Sequence, residues 1–221
     1  MGNSYHVLVS SSPACKMEND VSFQTQPMKL VDTLTTYRSE FTEAASRSPF
    51  IVFLCGPTLK GTDPSAVLRR QLKEILEGDN FEVVLGEDDG LDNPEIHRIG
   101  VNAQDNELEF IQSHCGAVVI IASSVGSFCE LALFSWHLVH SRGVIDSGKT
   151  DCIVLIEEQF KDHKSYLNAG PAAAVSAYGR VEFINFSSYD PAPLLERLRL
   201  RRGVMTVDNK RGRPRAARRK P

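Results

Sequence analysis

Short apolar runs separated by longer amphipathic segments fill the middle of this chain. The runs are rich in β-branched residues, which is typical of strands that are buried on both faces of a parallel sheet. They cover Phe50–Cys55, Phe81–Leu85, Gly116–Ala122, Cys152–Ile156 and Val181–Phe186. Because turn-forming or polar residues bound these runs, we predict a strand at each of them.

The segments between these runs have the spacing of helices. After Asp63 and Pro64, a pair that favours a helix start, apolar residues recur every three or four positions up to Gly78. The predicted helices cover Pro27–Ala45, Pro64–Gly78, Gln104–Ser113, Ser127–His140 and Pro191–Leu200. Because strands and helices alternate, we predict an α/β fold with a Rossmann-like, doubly wound and mainly parallel five-stranded sheet.

The two ends of the chain lack this alternation. Its 221 residues suffice for one sizeable core with appendages. We predict a flexible N-terminal arm with one packing helix over residues 1–48 and a single α/β domain over residues 49–203. Residues 204–221 are expected to form a disordered basic tail.

The basic charge of the chain is concentrated at its C-terminal end. Residues 209–221 hold seven of the 25 basic residues and none of the 28 acidic ones. The rest of the chain is therefore acidic, and contact with a polyanion is expected in the tail alone. There, Arg211, Arg213 and Arg215 belong to a segment that resembles an AT-hook, an arm that lays arginines in a DNA minor groove. The alternative is a tail that only keeps the protein soluble.

The cysteines and the first residues of the chain indicate a compartment. The five cysteines are odd in number, widely spaced and mostly set in apolar runs, so they predict reduced thiols rather than disulfides or a zinc site. The first residues lack the pattern of a secretory signal or a myristoylation site, and no apolar run approaches the roughly 20 residues that cross a membrane. We expect a soluble cytoplasmic protein without a membrane contact, metal or cofactor.

One carboxylate stands where sheet proteins often bind ligands. Glu130 follows the predicted strand 116–122 at the start of an apolar helix, and the carboxyl ends of parallel strands line the ligand crevice. Ser127 and Glu130 also have the spacing of a capping box, which would make the glutamate structural. We favour catalysis, because a carboxylate on a helix with almost no polar face needs a partner or a chemical task. Ser124, Gly126 and Ser127 in the preceding turn are then candidate substrate contacts.

Two other polar turns follow predicted strands. Gly56, Pro57 and Thr58 follow the first strand, where loop amides and the next helix terminus suit a phosphate or a ribose. Glu87 and Asp88 follow the second strand, where carboxylates accept hydrogen bonds from ribose hydroxyls. The alternatives are a plain strand-to-helix turn and an acidic surface loop.

These motifs occur together in a known class of enzymes. Phe53–Pro57, Glu87–Asp88 and Ser124–Leu131 resemble motifs of nucleoside 2-deoxyribosyltransferase-like proteins, and among these the effector toxins that retrons encode in bacterial antiphage defence. The resemblance covers roughly residues 50–160. It implies a compact α/β enzyme that cleaves or transfers N-glycosidic bonds, with Glu130 as the nucleophile. It also implies a homo-oligomer, because sites of this class are often completed by a neighbouring subunit.

The chain departs from the pattern of that class at two positions. Cys115 and Gly116 stand where the class usually has an acidic residue before the third strand, and Ala132 stands where it has a glycine. Glu107 or Glu109 on the preceding helix is a candidate replacement for the missing acid. The alternatives are an altered substrate and an inactive enzyme.

The resemblance and the residues together predict an N-glycosidase of a nucleotide-like substrate, either NAD or a purine nucleotide. Glu130 would attack the anomeric carbon, Glu87 or Asp88 would hold ribose hydroxyls, and Glu109 would contact the substrate. DNA or a retron nucleoprotein would bind the tail. The alternative is a non-catalytic nucleotide-sensing or scaffold module, in which Glu130 only caps its helix.

Overall fold

The computed structural model describes residues 30–86, 102–137 and 150–208. The strands are β1 (Ile51–Cys55), β2 (Glu82–Val84), β3 (Ala117–Ala122), β4 (Asp151–Glu157) and β5 (Arg180–Ile184). The α-helices are α1 (Leu30–Ala45), α2 (Pro64–Gly78), α3 (Ala103–His114), α4 (Val125–Trp136), α5 (Ala173–Ser176) and α6 (Ala192–Asp208). A 3₁₀ turn (Glu158–Phe160) and a π turn (Asn168–Ala172) lie between β4 and α5.

The described strands form one sheet in the order β2-β1-β3-β4-β5, and all four pairings are parallel. The chain moves outward from β1 to β2, returns across β1 to β3, and then continues outward to β5. The predicted α/β fold with a doubly wound, parallel five-stranded sheet is confirmed.

Apolar side chains cover both faces of the sheet. On one face, residues of α2 and α6 pack against alternate residues of β1, β3 and β4, and α1 lies on α6. On the other face, α3, α4 and α5 cover the remaining alternate residues of the same strands. The three central strands are therefore buried on both sides, which explains their continuous apolar runs.

The last helix is longer than predicted, since it continues from Leu200 to Asp208. Arg202 explains the extension. Its side chain is 1% exposed, its guanidinium lies 4.1 Å from the centre of the Phe81 ring, and it donates to the carbonyl of Asp79 at 3.0 Å. A buried arginine with these partners anchors the helix beyond the predicted end, whereas the sequence showed only a charged segment.

The glycine before β5 allows a close approach between backbones. A Cβ atom at Gly179 would lie 2.1 Å from the carbonyl oxygen of Cys152. We expect Gly179→Ala to lower the free energy of unfolding by about 3 kcal/mol, because that backbone atom cannot move aside. Gly78→Ala is the control, since a Cβ there meets nothing within 4 Å, and it should be neutral or stabilising by up to about 1 kcal/mol. Urea unfolding measures both values; equal effects would contradict the prediction.

Several predicted features lie outside the described residues. They are most of the N-terminal arm, the acidic turn with Glu87 and Asp88, and the AT-hook-like segment with Arg211, Arg213 and Arg215. Within the described ranges, no helix combines the length and apolarity that crossing a membrane requires.

Candidate active site

The carboxyl ends of β1 and β3 form the point where the strand order reverses. Cys55, the last residue of β1, pairs with Ile120, and β3 continues two residues further to Ala122. Helix α2 leaves toward one face of the sheet and α4 toward the other. Loops that diverge in this way open a crevice, and open α/β sheets bind ligands there. The loops after β1 and β3 therefore define the candidate site.

Glu130 lies in the second turn of α4, beyond the residues that cap this helix. The predicted capping box between Ser127 and Glu130 is wrong. Ser124 is the N-cap, and Ser127 completes the capping box: the Ser127 amide donates to Ser124 Oγ at 3.2 Å, and the Ser124 amide donates to Ser127 Oγ at 2.9 Å. Because serines fill both positions, capping does not account for Glu130.

Two carboxylates from different helices lie near the carboxyl end of β1. Burial raises the pKa of the Cys55 thiol well above its usual value, and the charges of Glu130 and Glu107 raise it further. Both carboxylates are therefore within electrostatic range of Cys55. The Oε2 atom of Glu130 is shielded from solvent, and Glu107 Oε1 lies 2.7 Å from where a Cβ of Gly86 would be, at the end of β2. The thiol stays protonated, so the carboxylates are the candidate reactive groups.

Glu109, the other candidate replacement acid, does not face this cluster. It is exposed on α3, and Ser113 Oγ donates to its Oε1 atom at 2.8 Å. A carboxylate two positions from Glu107 on a helix points about 200° away from it. Glu109 as a substrate contact is therefore corrected to Glu107.

Two arginines of α2 hold the loop after β1. Arg69, which is 1% exposed, donates to the carbonyls of Pro57 at 2.8 Å and Leu54 at 2.7 Å. Arg70 donates to the carbonyl of Gly61 at 2.7 Å. Gly56 has a φ of 155°, and a Cβ there would lie 3.1 Å from Arg69 Cδ, so this glycine lets the arginine pass beneath the loop.

The helix terminus after this loop is already occupied by a carboxylate. Asp63 is the N-cap of α2, and its Oδ1 atom accepts from the amides of Ser65 and Ala66, both at 3.1 Å. A phosphate is therefore not expected at this helix terminus, because Asp63 would repel a second anion there. Thr58 remains exposed on the same loop, so it stays a candidate contact together with Gly56, whereas Pro57 is buried.

Some residues of the turn after β3 stabilise the turn itself, and others lie at the crevice. Ser127 is 1% exposed, and its hydroxyl accepts from the amides of Ser123 and Ser124 and donates to the Ser124 carbonyl. Ser127 therefore builds the turn rather than contacting a substrate. Gly126 is exposed, and a Cβ there would meet nothing within 4 Å. Open space lies next to it, and Ser124 is half-buried at the same edge.

Sequence reasoning missed Arg69, Ser65 and Ser123. Arg69 lies between Leu68 and Leu72 in the apolar spacing of α2, and this spacing is the local signal that could have indicated its burial. Ser65 lies in the first turn of α2 and Ser123 directly after β3. They are 58 residues apart in the chain, and no local pattern links them. Their hydroxyls nevertheless lie 2.8 Å apart in the crevice.

The described residues contain no group of three or more potential metal ligands. Among the described residues, Cys55, Cys115 and Cys152 are buried thiols and Cys129 is an exposed one.

Residues 65–206 match the model of the family described as STM3845 retron effector protein. The match covers well over half of the chain and extends from the second residue of α2 into the last turn of α6, with both Glu107 and Glu130. The chain belongs to this retron effector family. That membership supports the predicted class of antiphage-defence effector. No curated protein shows a significant match to the chain.

Proposed function

We propose that this retron effector is an N-glycosidase that hydrolyses a nucleotide-like substrate, NAD or a purine nucleotide. The observation that carries the proposal is the position of Glu130: it lies at the switch point of the sheet, and serines rather than Glu130 cap its helix. A second carboxylate, Glu107, reaches the same end of β1 from another helix.

The reaction would proceed in two steps, in which Glu130 is the nucleophile and Glu107 transfers protons. In the first, a carboxylate oxygen of Glu130 attacks the anomeric carbon, the bond to the base breaks, and the base leaves with the bonding electron pair. A purine that leaves as an anion takes a proton from the protonated carboxyl group of Glu107 and leaves that group ionised, whereas nicotinamide leaves NAD as a neutral molecule and Glu107 is ionised from the start. In the second step, water attacks the same carbon, gives its proton to Glu107, and releases Glu130 as a carboxylate. Two displacements at one carbon retain its configuration.

The remaining residues would bind the sugar and the phosphate. Glu87 or Asp88 would accept hydrogen bonds from ribose hydroxyls at the end of β2, beside Gly86. Phosphate would lie near Thr58 and Gly56 on the loop that Arg69 and Arg70 hold. The nucleoside 2-deoxyribosyltransferase-like class, proposed here as the wider relationship, would use the same nucleophile.

A panel assay tests this function. Purified protein is incubated with NAD, purine nucleosides and purine nucleotides, and released base is read by chromatography. Glu107→Gln should slow release about 10²-fold if it transfers the proton, while Glu109→Gln should release base at the wild-type rate. Equal rates for these two variants would remove Glu107 from the mechanism. The absence of release from every compound would favour the second candidate, a non-catalytic nucleotide-sensing or scaffold module.

A separate proposal concerns the C-terminal tail as a DNA contact. Removing residues 209–221 takes away seven basic side chains. We expect the truncated protein to bind duplex or retron DNA more weakly and with a flatter dependence on salt, because fewer counterions are released. Fluorescence anisotropy at several salt concentrations measures the slope. An unchanged slope would refute the AT-hook role. The contact with a retron nucleoprotein and the homo-oligomer remain predictions.

A further inference from the structure

A chain of three oxygen-bearing side chains crosses the crevice between the two loops of the candidate site. Ser123, directly after β3, donates from its hydroxyl to Ser65 Oγ at 2.8 Å. Ser65, in the first turn of α2, donates from its hydroxyl to Asp63 Oδ1. Ser65 is 5% exposed and Ser123 is half-buried, so the buried end of the chain is Ser65 and the accessible end is Ser123.

The charge of Asp63 fixes the direction of these hydrogen bonds. An ionised carboxylate only accepts, and a hydroxyl has a single hydrogen to donate. Ser65 therefore donates its single hydroxyl hydrogen to Asp63 and must accept a hydrogen bond from Ser123. The Ser65 hydroxyl in turn holds the pKa of Asp63 below its usual value, which keeps the carboxylate ionised at neutral pH. Ser123 is left with no hydrogen to give.

The rest of each loop is held independently of this chain. The amides of Ser123 and Ser124 donate to Ser127 Oγ at 3.0 and 2.9 Å. On the other loop, the amide of Gly61 donates to the Thr58 carbonyl at 3.1 Å. Loss of the hydroxyl chain should therefore change what the crevice recognises while both loops keep their fold.

We propose that Ser123 presents an acceptor-only oxygen to the crevice and thereby recognises a hydrogen-bond donor on the substrate, a hydroxyl of its ribose. Ser65 and Asp63 are positioning residues, because they set the polarity of Ser123 without touching the ligand. This inference rests on the proposed function and names one ribose hydroxyl as the group that the crevice recognises.

The test compares the affinity for three ligands that differ by one hydroxyl. Dissociation constants for adenosine monophosphate and its 2′-deoxy and 3′-deoxy forms are measured by calorimetry. We expect loss of the recognised hydroxyl to weaken binding to the wild type by roughly tenfold, as for one hydrogen bond. Ser123→Ala should lose the discrimination that depends on one of the two hydroxyls, so it should bind adenosine monophosphate and the corresponding deoxy form with nearly the same, weaker affinity. Ser65→Ala should lose most of the discrimination, because Ser123 is then free to rotate.

Two further measurements keep the result interpretable. Ser113→Ala removes an exposed hydroxyl that donates to Glu109 outside the crevice, so it should discriminate as the wild type does. The pKa of Asp63, followed by carboxyl NMR, should rise in Ser65→Ala if the hydroxyl chain exists in solution.

The outcomes separate this inference from the proposed function. If Ser123→Ala still discriminates against both deoxy forms, or if the wild type binds the three ligands equally, the role of Ser123 is overturned even where base release is observed. Discrimination that Ser123→Ala abolishes supports the role, even where no substrate releases its base and the N-glycosidase proposal fails.

Discussion

Replacing Glu130 with glutamine is expected to slow base release by roughly 10³-fold or more, since the amide cannot form the glycosyl ester. The variant should fold as the wild type does. The serines that cap α4 are untouched, and glutamine has nearly the same size as glutamate. In cells, we expect toxicity of the effector to disappear with the activity. The release rate is measured by chromatography and the toxicity by colony counts after induction.

The control for this substitution is Glu109→Gln on the neighbouring helix. It removes the same charge from an exposed position, where the carboxylate accepts from Ser113. Toxicity and base release should stay at the wild-type level there. If Glu130→Gln remains fully toxic, Glu130 is not a nucleophile, and the non-catalytic alternative takes its place.

Arg69→Met is expected to lower the free energy of unfolding by about 3 kcal/mol. The substitution keeps an unbranched apolar side chain, but it leaves the carbonyls of Leu54 and Pro57 without their donor, and each unsatisfied buried group costs about 1–3 kcal/mol. The loop after β1 then loses its anchor, so KM for the nucleotide should rise as well. Thermal and urea unfolding measure the first effect and steady-state kinetics the second.

The matched control is Arg38→Met on α1. Arg38 pairs with Glu196, and both side chains are more than half exposed. Solvent and salt screen such a pair, so its loss should change the unfolding free energy by no more than about 1 kcal/mol. Similar losses for the two arginines would contradict the claim that burial of Arg69 organises the loop.

The sheet could be predicted from the sequence because its central strands are buried on both faces. A continuous apolar run such as Ala117–Ala122 is typical of a strand that is buried on both faces, and the turn after it marks its end. The predicted limits of the two edge strands were less accurate. Strand β2 is limited to Glu82–Val84 and β5 begins at Arg180, since edge strands are only half-buried and their limits depend on neighbours that the sequence does not display.

The candidate site was predictable in position and less so in detail. Glu130 follows a buried parallel strand, and this local pattern sufficed to single it out. The division of roles among the serines did not follow from spacing, because Ser124 and Ser127 are three residues apart, just as Ser127 and Glu130 are. The choice between Glu107 and Glu109 depends on how α3 is rotated against the sheet, which only packing determines.

The most direct test of the central claim is to trap the covalent intermediate. The protein is mixed with a substrate identified by the panel assay, quenched in acid within milliseconds and digested, and its peptides are weighed by mass spectrometry. We predict a sugar adduct on the peptide that contains Glu130, which disappears in Glu130→Gln. Base release without any adduct, or an adduct on another residue, would contradict the assignment of Glu130 as the nucleophile.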